Sequence, residues 1–131
     1  MKFYDWHAAP NPKRARMCIA EKGLDIEIIE VGGEDLRLKP EYVAKFPQAM
    51  VPMLELDDGR QIGESIAISR YLDELYPSPP MFGRDPYERA IVEMWERRAF
   101  DEGMMAAGEV FRNTHEAFKD RGLPGFATPV P

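Results

Sequence analysis

The chain has little cysteine and no long apolar run. Cys18 is its one cysteine in 131 residues, so no internal disulfide framework can form. Proteins without such frameworks are typical of a reducing compartment, which predicts a cytoplasmic protein. No run approaches the roughly 20 apolar residues that span a bilayer, and the N-terminus lacks the apolar core of a signal peptide. We therefore expect no association with a membrane.

Positive charge is also scarce relative to negative charge. The chain has 17 Lys and Arg against 23 Asp and Glu, a formal net charge of -6. General binding of nucleic acid needs a basic face for the phosphates, so this class of function is not expected. The two histidines and the scattered acidic residues lack the spacing of metal ligands, and no metal site is expected. The composition is otherwise that of a globular protein.

The first 78 residues carry strand and helix patterns in the order βαβαββα. The first two strands are joined through a helix and should be parallel, and a later hairpin adds two antiparallel strands. This order predicts an α/β fold of the thioredoxin-like type. The expected elements are a strand at 2–6, a helix from Asn11 as N-cap to Gly23, a mostly buried strand at 26–31, a short helix at 40–45, strands near 53–56 and 61–63, and a helix after Glu64 that buries Ile68, Leu72 and Leu75 and ends before Pro77.

A Pro-rich linker, residues 77–80, separates this pattern from the remainder, which gives domains 1–78 and 79–131. One long helix is expected from Pro86 to about Lys119, with Gly103 and Gly108 as places where it can bend. Residues 122–131 are expected to be loop. A lone helix cannot bury an apolar stripe, so we expect it to pack on the first domain, on further helices or on another subunit. The stripe consists of Ile91, Met94, Trp95, Ala99, Met105, Ala106 and Val110.

The segment from Phe46 to Leu72 carries the clearest functional signals. Val51 precedes Pro52 at the entry of the hairpin, where a cis bond would free the Val51 main chain to pair with an extended peptide. Glu64 and Ser65 open a helix, whose free amides favour an anionic group. Together they predict one site for a peptide backbone and one for a carboxylate. Taken singly, they would fit a bent strand entry and an acidic residue at a helix terminus.

These residues resemble the glutathione-binding half of glutathione transferases. The resemblance implies a thioredoxin-like domain followed by the first part of an all-α domain, so the chain is expected to be truncated. For the thioredoxin-like domain, the resemblance rests on Lys2-Phe3-Tyr4, the break ending at Asn11, Arg16 with residues 20–24, Val51-Pro52 and residues 64–72. Residues 82–86 and 94–98 are similar to the start of the all-α domain.

The resemblance also implies how glutathione would bind. Val51 would bind its cysteinyl part through the main chain, with Pro52 cis, and Glu64 and Ser65 would hold its γ-glutamyl end. Helix amides, cations and one acid suit a ligand with two carboxylates and one amine. The implied glutathione site consists of Arg37, Lys39, Met50, Val51, Pro52, Glu64 and Ser65, and the implied electrophile pocket of Trp6, His7, Phe111 and Asn113. Met50 stands where many relatives carry a polar ligand.

The chain departs from the family where the thiol is activated. Relatives use a Ser or Cys at the start of the first helix, or a Tyr at the end of the first strand, and residues 7–12 offer none of these. Tyr4 lies one residue early, which turns its side chain to the opposite face of the sheet. The chain is similar in this respect to the atypical bacterial and fungal branch. Because both neighbouring prolines lack an N–H, Asn11 at the helix terminus is the expected thiolate donor, with His115 as a second candidate.

The predicted function is that of a glutathione transferase, a homodimer whose glutathione thiolate attacks a small apolar electrophile. The alternative is a non-catalytic glutathione-binding, ligand-binding or protein-interaction module on the same fold, and a third is a structural helical adaptor without glutathione affinity. Cys18 lies among apolar residues within a helix and is expected to be a buried, inert thiol.

Overall fold

The computed structural model describes residues 1–32 and 36–116. The chain divides into two compact units, Met1–Phe82 and Gly83–Pro131. The first unit ends beyond the boundary expected at residue 78, and the assignment of domains stays a prediction. Its elements are β1 (Lys2–Asp5), α1 (Pro10–Glu21), β2 (Glu27–Glu30), a 3-10 helix (Leu36–Leu38), α2 (Pro40–Lys45), β3 (Met53–Glu55), β4 (Gln61–Gly63) and α3 (Ser65–Leu75).

The four strands form one sheet in the order β2-β1-β3-β4. Strand β1 runs parallel to β2 and antiparallel to β3, and β4 pairs with β3 as an antiparallel hairpin. The element order and the pairing confirm the predicted thioredoxin-like fold.

Alternation along the strands gives the sheet a separate core on each face. Phe3 and Leu54 point to one face, and Tyr4 and Met53 point to the other. The α1/α3 core consists of Phe3, Ala15, Ile19, Ile26, Leu54, Leu56, Ile68 and Leu72. The α2 core consists of Tyr4, Leu36, Tyr42, Phe46 and Met53.

Helix α1 begins earlier than expected. Its N-cap is Ala9 and Pro10 is its first residue, so the expectation that Asn11 caps the helix is wrong. A proline at the first helical position loses no hydrogen bond and already has a helical φ, which lets Pro10 begin the helix. Asn11 therefore lies inside the first turn. The expected stop is confirmed, because Gly23 has a φ of 62° and its amide donates to the Ala20 carbonyl at 3.0 Å.

Two expectations about burial are wrong. Strand β2 lies at the edge of the sheet, and Ile28 on it is 51% exposed because no strand of residues 1–32 and 36–116 pairs with its outer side. Leu75 is the last residue of α3 and is 49% exposed, beyond the reach of the sheet. Ile68 and Leu72 are fully buried, as expected.

Lys22 anchors the segment that follows α3 to the rest of the first unit. Its buried ammonium donates to the carbonyls of Tyr76 at 2.7 Å and Pro79 at 2.8 Å, and it pairs with the Asp73 carboxylate at 2.6 Å. Asp73 also accepts from the amides of the last two residues of the unit, at 2.9 and 3.2 Å. Burial raises the pKa of Asp73, but these hydrogen bonds outweigh it and hold that pKa below its usual value. The predicted linker is thus anchored along its length.

The second unit is one interrupted helix over its described residues. It consists of α4 (Pro86–Arg98), a π-helical segment (Ala99–Met104) and α5 (Met105–Thr114). Asp85 caps α4 by accepting from the Glu88 amide at 2.8 Å. The irregular segment contains Gly103, whereas Gly108 lies in regular helix. No described residue of α4 or α5 is buried, and the exposed side chains include Met94, Trp95, Met105 and Val110.

The long helix ends before the expected Lys119. Thr114 is its last residue, and His115 has an extended ψ of 122°, so the expectation that His115 lies on the helix is wrong. Residue 119 and the tail at 122–131 lie outside the described residues. Among residues 1–32 and 36–116, no helix combines the length and apolar character needed to cross a bilayer.

Candidate functional site

A cleft of about 300 Å³ opens where α1 and α3 begin and the loop before β3 passes. Five of the residues expected at the site meet there, and four further residues complete the wall. The lining residues are Asn11, Phe46, Gln48, Met50, Val51, Pro52, Gln61, Gly63 and Glu64.

The loop between α2 and β3 contains a main-chain segment at Val51 that is not paired within the sheet. The Val51-Pro52 bond is cis, and strand β3 begins only at Met53. Within residues 1–32 and 36–116, the Val51 amide and carbonyl have no hydrogen-bond partner. The loop is held from behind, because the Tyr42 hydroxyl donates to the Met50 carbonyl at 2.7 Å. Val51 can therefore pair with an extended ligand without breaking a contact of the sheet.

The N-terminus of α3 forms a second part of the cleft wall. Glu64 is the N-cap with a φ of 66°, and no side chain caps the helix. The first intrahelical amide bond runs from Ile68 to the Glu64 carbonyl at 3.0 Å, so the three preceding amides have no intrahelical partner. Ser65 does not line the cleft and is 2% exposed, directly behind Glu64. This end combines free amide donors with one carboxylate.

The N-terminus of α1 contributes Asn11. Residues Pro10 and Pro12 have no N–H, so Asn11 carries the one main-chain donor among the first three helical positions. Its side-chain Oδ1 accepts from Arg14 Nη2 at 3.4 Å, and Arg14 Nε donates to the Ser65 hydroxyl oxygen at 3.1 Å. Arg14 thus joins the starts of α1 and α3. Sequence reasoning did not assign it, although its i+3 spacing from Asn11 places both on one face of the helix.

Phe46 is a second residue that sequence reasoning missed. Its ring lies against Gly63, where an added Cβ would stand 2.7 Å from Phe46 Cζ. Phe46 also makes an edge contact with Tyr42, with ring centroids 6.4 Å apart. The signal available in the sequence is an aromatic residue directly after a short helix and before Pro47. Phe46 thus joins the α2 core to the wall of the cleft.

Arg37 and Lys39, two residues of the implied glutathione site, do not line the cleft. Arg37 lies on the 3-10 helix and is exposed. The Lys39 ammonium donates to the Val31 carbonyl at 3.4 Å. Their role toward a ligand stays a prediction.

Trp6 and His7 also lie outside the lining. The Trp6 indole covers Gly32, where a Cβ would stand 1.7 Å from Trp6 Cδ1. The His7 amide donates to the Glu30 carboxylate at 3.1 and 3.2 Å. Three further candidates belong to the second unit, in which Phe111 and His115 have ring centroids 4.9 Å apart and Asn113 is exposed. The roles of these residues also stay predictions.

Tyr4 belongs to the α2 core. It is 8% exposed, and its hydroxyl donates to Glu55 at 2.7 Å. Lys45 donates to the Tyr4 hydroxyl at 2.8 Å and to Glu55 at 2.7 Å. These hydrogen bonds raise the pKa of Lys45 and lower that of Glu55.

Cys18 is buried, as expected, and is 3% exposed. Its Sγ lies 3.8 Å from the Ser69 carbonyl oxygen, to which the thiol donates. Burial raises the pKa of the Cys18 thiol, which disfavours the reactive thiolate. Cys18 therefore makes no contribution to the cleft.

The fold and the cleft define a thioredoxin-like domain whose cis-proline loop and two helix N-termini line one cleft. Residues 3–80 match the family described as "Glutathione S-transferase, N-terminal domain". The match covers more than half of the 131 residues. The chain belongs to the glutathione S-transferase family.

Individual relatives agree with this assignment. Glutathione S-transferase 2 of Saccharomyces cerevisiae is 38% identical over 104 residues, which are 76% of this chain and 44% of that protein. Maleylacetoacetate isomerase of Pseudomonas aeruginosa is 39% identical over 95 residues, 69% of this chain and 44% of that protein. The crystal structure of a glutathione S-transferase of Vibrio parahaemolyticus is 38% identical with a TM-score of 0.77, and the match covers 91% of this chain and 60% of that one. The chain spans less than half the length of the two curated relatives.

Proposed function

We propose that the cleft binds glutathione and that the whole protein transfers its thiolate to small apolar electrophiles. The observation that carries this proposal is the meeting of Val51, the N-terminus of α1 and the N-terminus of α3 at one cleft. A γ-glutamyl tripeptide presents a main chain, a thiol and an α-carboxylate with its amine, and each wall of the cleft suits one of these groups. The names of the relatives support the same chemistry.

The proposed pose follows from the donors and acceptors of the walls. The cysteinyl main chain pairs with Val51, whose amide and carbonyl are open to a ligand. The γ-glutamyl carboxylate accepts from the amides that begin α3 with Ser65, where the helix dipole also favours negative charge. The γ-glutamyl amine pairs with Glu64. Met50 contributes its main chain and apolar contact, since its thioether cannot replace a charged ligand.

The thiol would lie over the N-terminus of α1. Asn11 offers its main-chain amide and its side-chain amide there, and the helix dipole adds positive potential. Every unit by which the thiol pKa falls corresponds to about 1.4 kcal/mol of preference for the thiolate. Asn11 is the proposed catalytic residue and His115 the second candidate.

The remaining residues of the site are proposed by family resemblance. Arg37 and Lys39 are candidates for the glycine carboxylate. The electrophile pocket would be formed by Trp6, His7, Phe111 and Asn113. We also propose that the whole protein is a cytoplasmic homodimer, and sedimentation at micromolar concentration tests the assembly, because a monomer would contradict it.

Calorimetric titration with glutathione tests the binding site. Glu64→Ala combined with Ser65→Ala should weaken binding, because charge-assisted hydrogen bonds contribute about 1.5–3 kcal/mol each. Unchanged affinity in a folded double variant would contradict the proposed pose. Turnover of a general electrophile distinguishes a transferase from a binding module, which would bind glutathione without conjugating it.

Titration of thiolate absorbance against pH tests the activation of the thiol. Asn11→Ala should raise the thiol pKa of bound glutathione, because the thiolate loses a donor. Tyr4→Phe should leave that pKa unchanged, because the Tyr4 hydroxyl is bound to Glu55 in the α2 core. Loss of the thiolate in Tyr4→Phe alone would replace Asn11 by Tyr4 in the mechanism.

A further inference from the structure

Arg14 connects the two helix ends that line the cleft, and no role follows for it from the proposed pose. Its guanidinium donates to Asn11 on its own helix and to Ser65 on α3, at 3.4 and 3.1 Å. Arg14 and Ser65 are 51 positions apart in the sequence. One side chain therefore contacts the group proposed for the thiolate and the residue that begins the helix proposed for the γ-glutamyl carboxylate.

The chemistry of the guanidinium determines how Asn11 is oriented. A guanidinium has N–H donors and no acceptor, whereas a carboxamide has a donor end and an acceptor end. Asn11 must therefore turn its oxygen to Arg14, which leaves the Nδ2 donors as the free end of the amide. In the reverse orientation the Asn11 oxygen would face an approaching thiolate and repel it.

The same argument applies to Ser65. A hydroxyl has one donor and two acceptor lone pairs, and Arg14 occupies a lone pair. The hydroxyl proton of Ser65 is therefore left to donate to another acceptor. Both groups that Arg14 touches are left as donors, and of the two it is Asn11 that lines the cleft.

We propose that Arg14 is a positioning residue that turns the Asn11 amide so that its N–H groups donate to the thiolate of glutathione. This inference rests on the proposed function, because it specifies how the proposed donor is oriented. It assigns to Arg14 an effect on the thiol that passes through Asn11, in addition to the charge of its guanidinium.

Three variants separate orientation from charge. Arg14→Lys keeps the positive charge but lacks the planar fork that reaches two acceptors at once. Arg14→Gln removes the charge as well. Lys13→Gln is the matched control, since it removes one positive charge from the neighbouring, exposed position of α1. Thermal unfolding of each purified full chain verifies that the variants fold.

The readouts are the thiol pKa of bound glutathione, from thiolate absorbance, and the affinity, from calorimetry. Arg14→Lys should raise the thiol pKa and weaken binding about tenfold, which corresponds to ~1.4 kcal/mol. Arg14→Gln should have at least this effect, and Lys13→Gln should change neither quantity. A purely structural role of Arg14 would lower the unfolding temperature and leave the thiol pKa of the bound ligand unchanged.

A double variant decides whether Arg14 acts through Asn11. In the Asn11→Ala background, Arg14→Lys should raise the thiol pKa no further, because residues that act in one chain of contacts are not additive. Additive shifts, or an unchanged thiol pKa in Arg14→Lys alone, would overturn the inference and leave glutathione binding intact. Failure of the unaltered chain to bind glutathione would instead refute the proposed function, and this inference with it.

Discussion

The two faces of the sheet are built differently, and the difference concerns how each core holds its part of the cleft. The α1/α3 core is aliphatic apart from Phe3, so its side chains form no hydrogen bonds. The α2 core contains two tyrosines, whose hydroxyls donate to Glu55 and to the Met50 carbonyl. The second of these contacts reaches the loop that carries Val51. The α2 core thus holds the loop that carries Val51, while the α1/α3 core carries the two helices whose N-termini line the rest of the cleft.

Tyr42 is suited to hold the loop over a wide range of pH. Burial, together with the nearby Tyr4, raises the pKa of Tyr42 to about 12. Its hydroxyl therefore keeps its proton at neutral pH and continues to donate to the Met50 carbonyl. The hydrogen bond does not depend on a titrating group near neutrality.

The largest expected effect on stability comes from truncating a side chain of the α1/α3 core. Leu54→Ala should lower the free energy of unfolding by about 2–5 kcal/mol, because Leu54 is fully buried and the cavity would not collapse completely. Denaturant unfolding measures the loss. Glutathione affinity, corrected for the folded fraction, should change little. An equal loss of affinity and stability would abolish the distinction between the two faces.

The next effect comes from the α2 core, where a substitution should change glutathione affinity more than stability. Tyr42→Phe should cost only about 0.5–1.5 kcal/mol of stability, the net contribution of one hydrogen bond. Its effect on glutathione affinity should exceed that of Leu54→Ala, because the Met50 carbonyl would be released beside Val51. Tyr71→Phe is the matched control, since Tyr71 packs against the other core. Calorimetry on all three variants measures the comparison.

A smaller effect depends on pH. Hydrogen bonds from Lys45 and Tyr4 lower the pKa of Glu55 below its usual value of 4.5. This stabilisation is fully present above that value and is lost as the pH falls through the lower folded pKa. Glu55 and Lys45 are partly exposed, so the contribution should stay below about 1 kcal/mol. As the pH is lowered from about 6 to about 3, the midpoint of thermal unfolding should fall less steeply in Glu55→Gln than in the unaltered chain.

The smallest expected effect lies in the loop itself. Ala49 has a φ of 50°, a left-handed conformation that costs a residue with a Cβ about 1–2 kcal/mol. Ala49→Gly relieves this cost but adds flexibility worth about 0.5–1 kcal/mol to the unfolded chain. The net result should be a slight stabilisation in denaturant unfolding, with unchanged glutathione affinity. A destabilised variant would show that the Ala49 methyl group packs in the loop.

Local patterns in the sequence predicted most of the fold. Gly23 ends α1, and residues 40–45 form the expected helix, because these signals depend on neighbours in the chain. The predictions of burial were wrong at Ile28 and Leu75, since the edge position of a strand and the register of a helix against the sheet depend on distant strands. The cis bond before Pro52 was expected from family resemblance and is present.

The candidate site was accessible from the sequence only in part. Asn11, Val51 and Glu64 were found because a proline or a helix start marks each of them. Arg14 was missed because its contact with Ser65 joins positions 51 apart, and nothing in the local pattern specifies that pairing. Phe46 was missed for a similar reason, since its contact with Gly63 arises only when the hairpin folds back.

The two prolines that flank Asn11 give the cleft a convenient spectroscopic property. Neither Pro10 nor Pro12 has an amide proton, so this stretch contributes a single backbone cross-peak to a ¹H–¹⁵N correlation spectrum. That resonance belongs to Asn11, since its two neighbours in the chain add no amide resonance of their own. A ligand placed at the start of α1 should therefore be followed through the chemical shift of one nucleus pair as it is titrated in.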